Sequence, residues 1–214
     1  MRLKGILFDF DGVVIKSMEQ HLEAWQYAYK KYKIHIKAED FYHLEGRGVK
    51  EVVKDLSEKY GIDPKLGSQI MQTKIDYYEK ILTVEFYDGF FPLLDFLRKQ
   101  NIKMAIVTGS MRFRVQSFID KYLNGYIDAL VSADDVTNTK PFPEPFLKGA
   151  EFLGLEPKEC LIIENAPMGI KAGKAAQMKV IAIQTTLGKE YLHEADFIVT
   201  SFDEIKSLLQ NLFA

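Results

Sequence analysis

Three pairs of polar residues stand at the ends of short apolar runs in this sequence of 214 residues. The pairs are Asp9 with Asp11, Thr108 with Ser110, and Glu164 with Asn165. A fourth polar group, Lys140, lies in the loop after another apolar run at 127–131. Carboxylates grouped in a crevice attract Mg²⁺, which prefers oxygen ligands, and a lysine supplies a point charge that suits phosphate. These residue types therefore predict an oxygen-rich metal site beside an anion site, the combination that phosphoryl transfer requires.

The apolar runs have the length of buried strands, and most are separated by segments with helical spacing. The predicted strands cover 5–8, 103–107, 127–131, 160–163, 179–183 and 197–199, and the predicted helices 92–100, 111–122, 143–153 and 167–177. Continuous apolar strands that alternate with helices indicate a parallel sheet covered on both faces. Ligands bind beyond the carboxyl ends of the strands in such a sheet, so the four groups would meet in one crevice if their strands are neighbours.

Each group also has a simpler explanation when it is taken alone. Asp-Gly at 11–12 is a common turn dipeptide, and Ser110 is an ordinary helix cap. Lys140 precedes a proline in a loop, where a solvated charge is usual, and Glu164-Asn165 could begin a helix. The turn 108–110, by contrast, also has a functional explanation, because it opens a predicted helix whose free main-chain N–H groups favour an anion. The occurrence of all four groups, in this order and on these elements, favours a functional site.

Residues 17–86 interrupt the alternation of strands and helices. Helical spacing recurs at 19–29, 49–56 and 68–82. About seventy residues of helix are too many for one crossover between strands. We predict a helical domain at 17–86, inserted into a doubly wound α/β core formed by residues 1–16 and 87–214.

The composition is that of an ordinary globular protein, with 47% hydrophobic and 27% charged residues and a formal net charge of −2. It excludes a disordered, collagen-like or coiled-coil chain. Near-neutral charge gives no broad field to attract nucleic acid or an anionic membrane, and no apolar run approaches the ~20 residues that span a bilayer. The single Cys160 cannot form an internal disulfide, so nothing points to an oxidising compartment. We expect a cytoplasmic monomer, with a dimer as the alternative, and no nucleic-acid or membrane partner.

With these motifs in place, the sequence resembles the haloacid dehalogenase superfamily of phosphotransferases. It is most similar to the branch that contains β-phosphoglucomutase and small phosphatases with a helical cap, over essentially the whole chain. The motifs that carry the resemblance are Phe8-Asp9-Phe10-Asp11-Gly12-Val13, Thr108-Gly109-Ser110, Lys140-Pro141-Phe142-Pro143-Glu144 and Ile163-Glu164-Asn165-Ala166-Pro167-Met168-Gly169-Ile170. Segments 21–25 and 44–46 are similar to segments of the mutase. The resemblance implies a Rossmann-like core, an inserted helical cap and Mg²⁺ as cofactor.

The resemblance also implies roles for the residues of the first and third motifs. Asp9 would be the nucleophile that attacks phosphorus and forms an aspartyl-phosphate. Asp11 would be the general acid and base, and its main-chain carbonyl would bind Mg²⁺. Lys140 would bridge Asp9 and the phosphate, and so keep the nucleophile ionised.

The second and fourth motifs would hold the phosphate and the metal. Thr108 and the N–H of Gly109 would bind phosphate oxygens, with help from Ser110. Asn165 would complete the Mg²⁺ ligands together with Asp9 and Asp11, and Glu164 would bind the ion directly or through water. All of these roles are expectations from the resemblance.

Two departures from the family pattern affect the expected activity. The fourth motif often carries two acids, and here the second is Asn165, an amide that can bind Mg²⁺ but brings no charge. After the second motif the mutase has a lysine that helps to hold a second phosphate, whereas Met111 stands here. In the insert, Arg47 or Lys50 would have to replace the phosphate-binding arginine of the mutase. A mutase needs two anion sites and this sequence guarantees only one, so a phosphatase is favoured.

Three residues of the insert have competing explanations. Arg47 lies between two glycines, which suits a loop that reaches into the site, although a plain surface turn would have the same sequence. His21 lies near the predicted hinge and could influence Asp11, or it could be packed or solvated. Trp25, on the same helix face as His21, is predicted to be a packing residue.

The sequence thus predicts Mg²⁺-dependent hydrolysis of a small phosphomonoester such as a sugar phosphate or a phosphoglycolate-like metabolite. β-Phosphoglucomutase activity is the alternative. Dehalogenation is disfavoured because Lys140 and Asp11 suit phosphorus chemistry better. Phosphonate hydrolysis would need a Schiff-base lysine, with Lys50 and Lys54 as candidates. A catalytically weak binding protein on the same fold is the alternative of another class, and only Asn165 supports it.

Overall fold

Six parallel strands form the centre of the molecule in the computed structural model, which describes residues 3–213. The strands are β1 (Gly5–Phe8), β2 (Lys103–Val107), β3 (Ala129–Val131), β4 (Cys160–Glu164), β5 (Lys179–Ile183) and β6 (Phe197–Val199). Their order in the sheet is β3-β2-β1-β4-β5-β6. This is the order of a doubly wound sheet, in which the connections run outward from a central strand on both sides. The predicted fold class is confirmed.

Nine α-helices surround the sheet or precede its second strand within the described residues. They are α1 (Met18–Lys30), α2 (Ala38–Tyr42), α3 (Val49–Lys59), α4 (Gly67–Ile81), α5 (Phe90–Lys99), α6 (Arg112–Tyr122), α7 (Glu144–Leu153), α8 (Pro167–Ala175) and α9 (Phe202–Phe213). Short 3₁₀ helices lie at Pro64–Leu66, Ala133–Asp135, Pro157–Glu159 and Lys189–Tyr191. None of the helices in residues 3–213 has both the length and the apolar character needed to cross a bilayer.

Alternating strand residues build a separate hydrophobic layer on each face of the sheet. Ile6 and Phe8 of β1 contribute to a cluster with α5, α6 and α9. Leu7 contributes to the opposite cluster, which includes residues of α7 and α8. The central strands are therefore apolar on both faces, which explains why their sequences read as continuous apolar runs rather than as alternating ones.

The third strand is shorter than the sequence predicts. It covers Ala129–Val131, whereas the apolar run begins at Ile127. The main-chain N–H of Met104, on the neighbouring strand, donates to the carboxylate of Asp128 at 2.8 Å. The Asp128 carboxylate thus accepts a hydrogen bond that a main-chain carbonyl of a paired strand would accept. The pairing of β3 with β2 therefore starts at Ala129.

Helices α1–α4 form a hydrophobic cluster of their own, which includes Trp25 as predicted. The chain enters and leaves these helices through two adjacent segments. Ile15 and Phe86 form an antiparallel bridge, and the N–H of Lys16 donates to the carbonyl of Glu85 at 2.8 Å. We call α1–α4 the helical insert. The division into domains at 16/17 and 86/87 stays a prediction.

Candidate active site

The nucleophile predicted from the sequence lies immediately beyond the end of the central strand. Asp9 follows β1 by one residue, and its N–H donates to the carbonyl of Ile163 in β4 at 2.9 Å. Its carboxylate accepts a 2.5 Å hydrogen bond from Nζ of Lys140, which also donates to Glu164 at 2.7 Å. Lys140 is 1% exposed. Asp9 follows β1, Glu164 ends the adjacent β4, and Lys140 reaches both from the segment after β3, so three of the predicted polar groups converge here.

Burial dominates the electrostatics of the pair Asp9 and Lys140. It raises the pKa of Asp9 to about 7, opposed by the charge of Lys140 and reinforced by that of Glu164. Burial also acts to lower the pKa of Lys140, but the two carboxylates outweigh it and raise that pKa above its ordinary value. Lys140 is therefore a permanent cation at neutral pH, and it stabilises the ionised form of Asp9.

Glu164 has little freedom left to act as an independent metal ligand. Its Oε1 accepts from Lys140, and its Oε2 accepts from the N–H groups of Asn165 and Ala166 at 2.7 and 2.8 Å. The side chain is completely buried. These contacts favour Glu164 as the residue that holds Lys140 in place.

Gly169, the third residue of α8, makes room for the Glu164 carboxylate. A Cβ built on Gly169 would lie 1.6 Å from Oε1 of Glu164. We expect Gly169→Ala to displace this carboxylate from Lys140, to lower the free energy of unfolding by about 1–3 kcal/mol, as overpacking does, and to reduce activity. Urea unfolding measures the first effect. Gly67→Ala is the matched control, because nothing lies within 4 Å of its added Cβ at the start of α4, and unchanged stability in Gly169→Ala would contradict the packing argument.

Asp11 is held by side chains from both the core and the helical insert. Ser17 and Ser110 donate to its two oxygens at 2.7 and 2.8 Å. Arg114 forms an ion pair with it at 2.9 Å, and the same guanidinium donates to the hydroxyl of Tyr78 at 2.7 Å. Burial acts to raise the pKa of Asp11, but Arg114 and His21 together outweigh it, and the pKa falls well below the ordinary value. Asp11 is therefore ionised in this arrangement.

The sequence analysis missed Arg114. It lies four residues after Ser110, on the first turn of α6, and its NH1 donates to Oγ of Ser110 at 2.8 Å. Ser110 precedes the helix, so helical spacing does not relate the two residues, and the sequence carries no clear signal for Arg114.

His21 links Asp11 to a buried lysine of the insert. Its Nε2 lies 3.1 Å from Asp11 without good hydrogen-bond alignment, and its Nδ1 lies 2.8 Å from Nζ of Lys74. Burial, together with the charge of Lys74, lowers the pKa of His21 to about 3, so the imidazole is neutral. When Lys74 is charged, its ammonium can only donate to Nδ1, and the ring proton then lies on Nε2, toward Asp11. The expected connection between His21 and Asp11 is present as a contact, and its role stays a proposal.

Lys74 was also missed, although the sequence carries a signal for it. It stands between Ile70 and Tyr78 on the buried stripe of α4, where a lysine is unusual. By contrast, Lys50 and Lys54, the candidates for a Schiff-base lysine, are both exposed on α3. Lys74 lines the same cavity as Asp11.

Lys74 gives the stability of the protein a defined pH dependence. Burial and then the charge of Arg114 lower its pKa from 10.5 to about 7. Between pH 7 and pH 10.5 the Lys74 side chain is therefore protonated in the unfolded chain but not in the folded chain. The burial of Lys74 destabilises the fold fully below pH 7, and this destabilisation is lost as the pH rises toward 10.5. We expect Lys74→Met to raise the free energy of unfolding more at about pH 6 than at about pH 9. Urea unfolding at both pH values measures this, and an equal effect would contradict the burial argument.

The loop 44–48 of the insert docks onto the core beside these groups. A Cβ built on Gly109 would lie 2.8 Å from the carbonyl oxygen of Arg47, so the two main chains are in close contact. The guanidinium of Arg47 forms an ion pair with Asp55 on α3, and Arg47 is one of the residues that line the cavity. Glu45, next to Gly46, accepts a 2.9 Å hydrogen bond from Nδ2 of Asn165 in the core. Sequence reasoning gave Glu45 no role.

The predicted phosphate loop borders a cavity of about 120 Å³ between the core and the insert. Thr108 is buried, and its Oγ1 accepts a 3.0 Å bond from the N–H of Ser110. Asp9, Asp11 and the loop 108–110 line the core side of this cavity. The geometry therefore places the carboxylates and the predicted anion site around one small cavity.

The oxygen donors of the site fit a hard cation. Oδ1 of Asn165 is buried and has no hydrogen-bond partner among residues 3–213, which leaves it available as a ligand. Gly12 has a φ of 85°, and a Cβ there would lie 2.3 Å from Nδ2 of Asn165, so the Asp11-Gly12 turn lies against this amide. No cluster of three or more His, Cys, Asp and Glu side chains in the described part of the chain forms a metal site alone. A cation here would depend on amide and main-chain oxygens as well as on carboxylate.

Comparison with known proteins gives matches over both the core and the insert. A family model of haloacid dehalogenase-like hydrolases matches residues 6–183. Hexitol phosphatase A of Escherichia coli (strain K12) is 30% identical over 213 residues, which cover 96% of this chain and 94% of that protein. The solved structure of β-phosphoglucomutase from Clostridium difficile is 25% identical, with a TM-score of 0.85, and the match covers 98% of this chain and 96% of that one.

One relative is much longer than this chain. Protein SUPPRESSOR OF QUENCHING 1, chloroplastic, from Arabidopsis thaliana is 29% identical over 200 residues, which are 91% of this chain and 19% of that protein. The chain therefore spans about a fifth of that relative, whereas it spans almost the whole of the other two.

Proposed function

Because this chain belongs to the haloacid dehalogenase-like hydrolases, a family of enzymes, we propose that it is a Mg²⁺-dependent phosphatase acting on a small phosphomonoester. The observation that carries the proposal is the buried contact of 2.5 Å between Asp9 and Lys140 at the end of the central strand. The contact supports Asp9 as the nucleophile, because its carboxylate lies next to a fixed positive charge at the wall of a cavity that Asp11 also lines. Nucleophile, counter-charge and a second carboxylate are what two-step phosphoryl transfer needs.

In the first step, an oxygen of Asp9 attacks phosphorus, and the bond from phosphorus to the ester oxygen breaks. The leaving oxygen takes a proton from Asp11. In the second step, Asp11 takes a proton from water, the water oxygen attacks phosphorus, and the bond to Asp9 breaks. Lys140 and the N–H group of Gly109 stabilise the oxygens that carry the charge.

Before Asp11 can act as the acid, its ion pair with Arg114 must break and its carboxylate must become protonated. In the structure, Arg114 and the two serines hold Asp11 as a carboxylate, which is the form that serves as the base of the second step. Entry of substrate would therefore separate Asp11 from Arg114. His21, with its Nε2 proton facing Asp11, is the nearest group from the insert.

Asp9, the main-chain carbonyl of Asp11 and Oδ1 of Asn165 would hold Mg²⁺, with Glu164 holding Lys140 beside them. The ion, when bound, neutralises charge on the transferring phosphoryl group. The predicted function of Asn165 as a ligand is supported by its unpaired oxygen.

We assign residues 17–86 the role of a cap that encloses the substrate and excludes bulk water. The cavity is small, and both Arg47 and Lys74 lie in its wall. A small phosphorylated metabolite is the substrate class that fits these features, and the relative named hexitol phosphatase A supports a sugar phosphate. The cytoplasmic location stays a prediction from the sequence.

The second candidate is β-phosphoglucomutase, favoured by the structural likeness to that enzyme from Clostridium difficile. Two features favour a phosphatase. Met111 carries no charge, and Arg47 is paired with Asp55, so neither residue offers a free cation for a second phosphate. β-Glucose 1-phosphate with a trace of β-glucose 1,6-bisphosphate separates the two. Glucose 6-phosphate without stoichiometric phosphate would identify a mutase.

A panel of phosphomonoesters tests the phosphatase proposal. Release of phosphate from p-nitrophenyl phosphate and sugar phosphates is expected with Mg²⁺ and is expected to stop with EDTA. The absence of turnover on every ester, with the same background in Asp9→Asn, would overturn the proposal. Turnover of a haloacid or of phosphonoacetaldehyde instead would support one of the disfavoured chemistries.

A further inference from the structure

The loop 44–48 brings a carboxylate of the insert into contact with a proposed metal ligand of the core. Glu45 is 3% exposed, and its Oε2 accepts a 2.9 Å hydrogen bond from Nδ2 of Asn165. The hydroxyl of Thr186 accepts a second bond from the same nitrogen at 3.1 Å. An amide nitrogen can only donate and an amide oxygen can only accept. The two acceptors therefore determine which end of the amide faces them, and they leave Oδ1 as the free end.

Two oxygens in this contact are buried without partners. Oε1 of Glu45 and Oδ1 of Asn165 make no hydrogen bond within residues 3–213. Leaving a buried acceptor unpaired costs about 1–3 kcal/mol, and folded proteins keep few such atoms. Both are hard oxygen donors of the kind that Mg²⁺ binds. A cation bound at Oδ1 of Asn165 would satisfy that atom and would place a positive charge beside Glu45.

The balance of charge leads to the same conclusion. The carboxylates of Asp9 and Glu164 both contact Lys140, and Glu45 is bound to the neighbouring Asn165. Asp11 is balanced by its ion pair with Arg114. When ionised, the other three carboxylates and one ammonium carry a formal charge of −2, which a single divalent cation neutralises. The neutral Asn165 contributes nothing to this count. Without Glu45 the buried group would be one charge short of balancing the ion.

We propose that Glu45 is a positioning residue of the cation site, which orients the Asn165 amide and supplies the negative charge that this amide lacks. Because Glu45 belongs to the helical insert, docking of the loop 44–48 and binding of the cation would strengthen each other by linkage. The inference rests on the proposed function only in taking Mg²⁺ as the ion. It concerns metal binding, which can be measured without substrate.

Isothermal titration of the full chain with MgCl₂ tests this proposal. Glu45→Gln keeps an acceptor for Asn165 and removes the charge, and we expect the Kd for Mg²⁺ to rise roughly 10-fold, as when a residue that supports a metal ligand is lost. The double variant Glu45→Gln/Asn165→Asp returns the lost charge to the adjacent position. We expect it to bind Mg²⁺ within about threefold of the unmodified chain. Glu58→Gln, which removes an exposed carboxylate from α3, is the matched control and should not change the Kd.

Thermal unfolding gives a second readout. In EDTA, Glu45→Gln is expected to raise Tm, because it removes one of several buried like charges. In saturating Mg²⁺ the order is expected to reverse, because the ion stabilises the unmodified chain more. A merely structural role for Glu45 would shift Tm in the same direction under both conditions.

Three results would overturn the proposal: no Mg²⁺ binding by the unmodified chain, a Kd for Glu45→Gln within about twofold of the unmodified value, or a double variant that binds no better than Glu45→Gln. A chain that binds Mg²⁺ in the predicted manner but hydrolyses no phosphomonoester would contradict the proposed function and leave this inference intact. Hydrolysis of a phosphomonoester together with an unaltered Kd for Mg²⁺ in Glu45→Gln would support the proposed function and contradict this inference.

Discussion

Replacing Asp9 with asparagine is expected to reduce phosphomonoester hydrolysis by at least roughly 1,000-fold, since loss of a nucleophile removes the whole covalent route. The amide has nearly the same shape as the carboxylate, and Lys140 retains its contact with Glu164 at 2.7 Å. We therefore expect the folded structure to persist and the loss to fall on kcat. Steady-state kinetics with the best substrate of the ester panel, together with circular dichroism, measures both.

Asp120→Asn is the matched control for this prediction. Asp120 is an exposed aspartate of α6 that accepts a hydrogen bond from Gln116. Its substitution makes the same chemical change on the surface, and we expect kcat to remain unchanged. Comparable activity of Asp9→Asn and the unmodified enzyme would show that another group attacks phosphorus.

Substituting Lys140 with methionine should produce the largest loss of stability. Two carboxylates, Asp9 and Glu164, would remain buried without the cation that both contact at 2.5 and 2.7 Å. Breaking a buried ion pair by removing one partner costs about 3–5 kcal/mol, which corresponds to a fall in Tm of roughly 10 °C for a chain of this size. Differential scanning calorimetry in EDTA measures this shift, and activity should be lost as well.

A second substitution separates charge from packing at this position. Glu164→Gln in the Lys140→Met background removes one of the unpaired charges, so we expect part of the lost Tm to return. Lys158→Met, an exposed site, should change the free energy of unfolding by less than about 0.5 kcal/mol. If Lys140→Met is as stable as Lys158→Met, the buried ion pairs do not contribute as described.

The parallel sheet could be predicted because its strands, such as 103–107 and 160–163, are continuous apolar runs and most are separated by helical segments. The strand order was not predicted, because the sequence left open whether the strands that carry the motifs are neighbours. The limits of β3 could not be predicted, because Asp128 uses its side chain where a strand uses its main chain. That choice depends on the neighbouring Met104, which is far away in the sequence.

The core of the candidate site was accessible from the sequence for the same reason, since Asp9, Lys140 and Glu164 follow different strands of one sheet edge. The placement of the insert over the sheet could not be predicted, because helical spacing gives the buried face of a helix but not its position in the fold. Glu45 and Lys74 meet the core residues only through that placement, whereas Arg114 reaches Asp11 from α6 of the core itself. Lys74 alone left a clear signal, a lysine on an apolar stripe.

Chemical trapping of the enzyme during turnover tests the central claim, that Asp9 becomes phosphorylated. Acid quenching followed by borohydride reduction converts an aspartyl-phosphate to homoserine, which mass spectrometry of the peptide around residue 9 detects. We predict homoserine at position 9 with substrate and Mg²⁺, and none in EDTA or in Asp9→Asn. Efficient hydrolysis with an unmodified residue 9, or with the label on another side chain, would contradict the account.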